Sequence, residues 1–146
     1  MSMSGFFKAF NADQINAMGE NHSLIDQWIF EEESYALEAD VANAWHVLAE
    51  VLDGDGFNVG EHIEDALSMG CFLVCPEDAA DQAENLSNWT HQEIIENLRY
   101  LETESDLYRL AMYKEDEQSL LNEFDKLVKF YDECAKKGFG VVHYVA

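Results

Sequence analysis

Three stretches of the chain carry residue types and spacings that could do chemistry. The first runs Asp53-Gly54-Asp55-Gly56-Phe57-Asn58-Val59-Gly60-Glu61-His62-Ile63-Glu64. Its acids fall at positions one, three, nine and twelve, as in loops that wrap oxygen ligands around calcium. Position five is Phe57, and position six is Asn58 where the sharp turn of such a loop requires glycine. The stretch therefore reads as an acidic turn, and no metal is assigned to it. The second is Cys71 with Cys75, with three residues between them and no second pair nearby, which reads as thiols flanking Phe72 and Leu73 rather than a zinc site. The third is Trp45-His46. An imidazole acts as a base only beside a nucleophile or an orienting carboxylate, and a chain with 30 Asp and Glu offers too many carboxylates to choose among. His143, near the C-terminus, receives the same structural reading. The sequence contains no G-x-S-x-G, no phosphate-cradling glycine loop and no nicotinamide fingerprint. No catalytic residue and no cofactor is assigned.

The elements that must position these residues carry a lopsided charge. The 146 residues hold 8 Lys and Arg against 30 Asp and Glu, a formal net charge of −22. Between Lys8 and Arg99 there is no Lys or Arg, whereas twenty Asp and Glu fall in that span. Direct nucleic-acid binding is disfavoured by that sign. A basic partner would be attracted, and its encounter with the chain accelerated. Acidic chains are often disordered, but 48% hydrophobic and 12% aromatic residues argue for a packed core. The opening MSMSGFFKAF lacks a basic leader followed by an apolar run. No stretch approaches the ~18 consecutive apolar residues of a membrane span. The expected location is the cytoplasm, which also suits three cysteines, an odd count, held as reduced thiols.

Along the chain, Gly5–Phe10 alternates as a short strand. Asn11 with Gln14 predicts a capped helix toward Met18, and Ser23 opens another that exposes Glu31-Glu32-Glu33 at its end. Val41, Trp45, Leu48 and Leu52 form one face of an amphipathic helix halted by Gly54 and Gly56. Glu61–Leu67 is expected as a short helix, Cys71–Val74 as a brief extended segment, and Pro76 as the first turn of a further helix. Thr90 and Glu93 make a capping box ahead of Ile94, Ile95, Leu98 and Leu101. Leu120, Phe124, Leu127, Tyr131 and Cys134 line a last helix, with Asp125–Lys129, Asp132–Lys136 and Glu133–Lys137 as candidate ion pairs. Gly138 and Gly140 release the chain into the strand Val141–Val145. The expected fold is α+β, a single mostly helical domain over residues 1–146 whose short N- and C-terminal strands pair in a small sheet.

Leu37, the run Ala44-Trp45-His46-Val47-Leu48, Leu52-Asp53-Gly54, Phe130-Tyr131, Gly138 and Val142-His143-Tyr144-Val145 resemble, in order, the YfbM-like family of bacterial proteins of unknown function. Met3-Ser4-Gly5-Phe6-Phe7 is similar to that family's first strand. The resemblance implies a mixed α/β cytoplasmic protein and carries over no catalytic residues. The chain departs from the family at Met112-Tyr113-Lys114, where a Tyr-Pro turn is usual.

Two functional expectations follow. In the first, the chain is a non-catalytic acidic protein that neutralises a basic, toxin-like protein partner, as an immunity protein does, or imitates nucleic acid. Its binding face would use Glu31, Glu32, Glu33, Asp53, Asp55 and Glu61. The alternative is a small-ligand protein or hydrolase with a pocket around Trp45 and His46.

Overall fold

The computed structural model describes residues 2–146. Strand β1 (Gly5–Phe10) leads through the Asn11–Gln14 capping box into α1 (Ala12–Glu20). A short helix α2 (Ser23–Asp26) continues as a π-helical turn, Gln27–Glu31, and the chain returns along β1 as β2 (Leu37–Asp40). The predicted helix after Asp40 begins as a 3-10 turn, Ala42–Ala44, and becomes α3 (Trp45–Val51). The predicted helix at Glu61–Leu67 is not formed. Glu61–Ile63 is a strand, β3, paired antiparallel with β4 (Cys71–Val74). Gly60 directs the chain there: its φ is +89°, and an added Cβ would lie 2.4 Å from the carbonyl oxygen of Leu73. Only glycine allows the two backbones to approach so closely.

Four helices follow. Cys75 caps α4 (Pro76–Ser87) with Pro76 in its first turn, and the Thr90–Glu93 box opens α5 (His91–Tyr100). Met112-Tyr113-Lys114 lies in α6 (Leu110–Glu115), and Asp116 caps the long α7 (Glu117–Lys137). Gly138, at φ 72°, ends α7 in the left-handed conformation, and β5 (Gly140–Val145) closes the chain.

The terminal strands pair as expected, Gly5 opposite Val145 through Phe10 opposite Gly140. The sheet is larger than a terminal pair. It has five antiparallel strands in the order β2-β1-β5-β4-β3. Alternation then sends side chains to two cores. Phe7, Ala9, Val74 and Val141 join the helices α3–α7 on one face, whereas Phe10, Leu73, Val142 and Tyr144 meet α1, α2 and the π-helical turn on the other. Leu48, Leu120, Leu127 and Tyr131 are sealed in the larger core with Phe124, and Trp45 packs at its margin. Lys8 faces the smaller core and is 7% exposed. Its ammonium reaches Glu38 at 2.9 Å and lies 4.3 Å from the centre of the Tyr35 ring, so the buried charge is paired.

Candidate ligand pocket and acidic surface

Helix α3 holds Trp45 and His46 against the N-terminal segment and the loop before α6. The Trp45 indole N–H donates to the Met3 carbonyl at 3.2 Å, and His46 Nδ1 accepts the Tyr108 backbone N–H at 3.0 Å. Acceptance at Nδ1 places the proton of the neutral His46 ring on Nε2. These residues form one wall of a cavity of about 310 Å³, whose remaining lining includes Glu50, Phe57, Asn58, Phe72 and His143. Tyr131, fully buried, donates its hydroxyl to the Gly56 carbonyl at 3.0 Å and pins the turn that carries Phe57 and Asn58.

His143 is the residue that sequence reasoning set aside. On β5 it stands opposite both Phe7 and Phe72, on the inward face shared with Val141. Its ring lies 4.1 Å from that of Phe7, nearly parallel, with Phe57 edge-on at 5.4 Å. Burial lowers its pKa from 6.5 to about 4, opposed in part by the hydrogen bond to the Phe6 carbonyl. The ring is therefore neutral at pH 7, with Nδ1–H donating to Phe6 at 2.9 Å and Nε2 left as an acceptor. One signal for this role was present in the sequence: period-two alternation places His143 two residues from Val141, on the same face of an apolar strand. Glu50, the carboxylate of the cavity, is exposed to solvent. The lining offers hydrogen-bonding imidazoles and aromatic walls, with no hydroxyl, thiol or amine nucleophile among its side chains.

The six acids expected to form one binding face occupy three places. Glu31, Glu32 and Glu33 are exposed at the end of the π-helical turn, ahead of the β2 edge of the sheet. Glu61 is exposed on β3 at the opposite edge, four strand spacings or ~19 Å away across the sheet. Asp53 is exposed in the turn after α3, and Asp55, half-buried there, accepts the Trp89 indole N–H at 2.9 Å. The last contact gives Asp55 a structural duty, fastening the glycine turn to the start of α5. Among the described residues, of the twenty acids between Lys8 and Arg99 only Glu38 and Asp65 have a Lys, Arg or His partner within salt-bridge distance, the latter being His22 at 2.6 Å. Three of the seven bases from Arg99 onward meet C-terminal acids: Arg99 with Glu117, Lys126 with Glu123 and Lys136 with Asp132. Of the three predicted pairs on α7, only Asp132–Lys136 forms; Asp125 turns to His91 at 2.8 Å instead.

The thiols have local explanations. Cys75 Sγ accepts the Asp78 N–H at 3.5 Å as the cap of α4. Cys71 and Cys134 are buried, and burial pushes both thiols up to about 12, where thiolate chemistry is suppressed. Among the described residues, no three or more His, Cys, Asp or Glu are grouped to hold a metal ion. The Asp53–Glu64 stretch runs out into β3 instead of wrapping back on itself. No helix among the described residues is long and apolar enough to cross a membrane.

The architecture has a counterpart among solved structures. It is similar to the crystal structure of a protein of unknown function, YfbM from Escherichia coli, with a TM-score of 0.73 at 13% identity, covering 100% of both chains. At that identity the likeness concerns the fold. No curated protein matches the chain. The sequence model of the family described as "Domain of unknown function (DUF1877)" matches residues 1–144. Five antiparallel strands closed by the two termini, the Trp-His helix and the long final helix are thus the frame of a YfbM-like protein, and the chain belongs to the DUF1877 family.

Proposed function

We propose that this chain binds and neutralises a basic protein partner, in the manner of an immunity protein against a toxin that acts in the cytoplasm. The observation that carries this reading is the uncompensated charge of residues 9–98, whose twenty acids meet almost no cation, while three of the seven bases from Arg99 onward pair with acids of their own C-terminal third. Such a field steers a basic partner into encounter over distances comparable to the Debye length, ~8 Å in physiological salt.

Glu31–Glu33 are the preferred contact. Beside them Phe30 is 59% exposed, its ring resting edge-on against Tyr144 at 6.2 Å. An aromatic anchor ringed by like-signed charge combines the two parts of a specific interface, a desolvated centre and a steering rim. Asp53 and Glu61 extend the field without sharing that contact, and Asp55 is committed to Trp89.

The test is isolation of the partner from the native host, followed by stopped-flow association over a series of salt concentrations. Replacing Glu31, Glu32 and Glu33 with Gln should slow association about tenfold at low salt and flatten its salt dependence, while Phe30→Ala should chiefly accelerate dissociation. An acidic partner, or an association rate indifferent to both salt and the triple substitution, refutes the reading.

A further inference from the structure

His143 is 5% exposed, and among the described residues its Nε2 makes no hydrogen bond, its one side-chain bond being from Nδ1 to Phe6. Among the described residues no sealed side-chain nitrogen or oxygen lacks a partner. His143 Nε2 is therefore not sealed, and its ring lines this cavity with Phe57 and Phe72 as well as a smaller one of about 120 Å³ with His62. An open acceptor on a ring otherwise buried is a site for a ligand donor, which takes the place of solvent there.

The opposite wall supplies the complement. His46 receives Tyr108 N–H at Nδ1, so its neutral ring offers Nε2–H as a donor. One cavity thus has an acceptor and a donor whose tautomers are each set by a backbone group, between aromatic surfaces. That pattern discriminates among ligands. An ammonium has donors only and leaves the His46 N–H unmatched. A carboxylate has acceptors only and leaves His143 Nε2 unmatched, and a carboxylate or phosphate alike meets a chain of net charge −22. A volume of about 310 Å³ lies at the lower end of ligand-pocket sizes and suits a single ring system.

We propose that this cavity, between α3, the turn at Phe57 and Asn58, and β5, binds a small uncharged planar heterocycle bearing an N–H donor on one edge and a carbonyl or ring-nitrogen acceptor on another, the chemistry of a free nucleobase. The heterocycle N–H donates to His143 Nε2, its acceptor takes the His46 Nε2–H, and its faces lie against the aromatic walls. The site uses none of the acids assigned to the basic partner and stands independently of that assignment.

The test is calorimetric titration of the full chain with cytosine and uracil, with benzylamine and benzoate as the donor-only and acceptor-only controls. At least one base should saturate a single site with Kd below ~1 mM, with each control at least about tenfold weaker. His143→Phe, which keeps an aromatic ring in the stack, and His46→Phe should each weaken binding about tenfold or more. The wild-type protein supplies a reading that needs no variant: in a histidine ¹H–¹⁵N spectrum, the His143 Nε2 resonance moves upfield as the base donates to it. Failure of both bases to saturate, equal binding of benzoate, or saturation with the His143 nitrogen unmoved overturns the proposal.

Discussion

Acidification should unload part of the fold through His143. In the native state its pKa is lowered to about 4, first by burial, against 6.5 for the free side chain. Between those values the unfolded chain binds a proton that the native chain excludes, so stability rises with pH across that window and is lost as pH falls through it. The contribution is complete above about pH 6.5. From the two pKa values, it has fallen by about 2 kcal/mol at pH ~5 and would approach ~3 kcal/mol below pH ~4. Other groups titrate in the same range, carboxylates above all, so the assay is a difference between proteins. Urea unfolding of wild type and His143→Phe is followed at several pH values from about 7 down to about 4.5. At neutral pH the variant should be less stable by ~1–3 kcal/mol, because the Phe6 carbonyl loses its donor. That deficit should shrink by about 2 kcal/mol on going to pH ~5, since the variant has no imidazole to charge. Parallel stability curves for the two proteins across this range would refute the assignment of a buried, neutral His143.

Two further outcomes follow from the packing and the charge. Phe124 is 3% exposed among Leu120, Leu127 and the other residues of the larger core, so Phe124→Ala should cost ~3–5 kcal/mol in urea unfolding; a loss under ~1 kcal/mol would place it outside that core. Crowded like charges repel more in the folded chain than in the expanded one, so raising NaCl from low salt to ~0.3 M, where the Debye length is ~6 Å, should raise the melting temperature by several degrees. A flat response would show that the acids are dispersed enough not to oppose folding.

What the sequence determines by itself here is local. The Asn11–Gln14 and Thr90–Glu93 boxes form where their spacing requires, because each closes its hydrogen bonds within one turn. Pro76 and Gly138 set a helix start and a helix end through their own φ preferences. The four-and-three spacing from Leu120 to Cys134 dictates the buried face of α7. The α+β class was legible for the same reason, and so was the clustering of uncompensated charge before Arg99. Tertiary structure decides the rest. The strands β2 and β3 carry only Leu37, Ala39 and Ile63 as apolar residues, too few to announce themselves; they are strands because β1 and β4 present unpaired backbone to them. The same sheet separates Glu61 from Glu31–Glu33, and the packing of the turn after α3 against the start of α5 hands Asp55 to Trp89. It also brings His143 from the last strand to the cavity beside His46, 97 residues earlier in the chain. No local spacing encodes that meeting: it arises from register across three strands and from backbone groups of Phe6 and Tyr108 that choose each ring's tautomer.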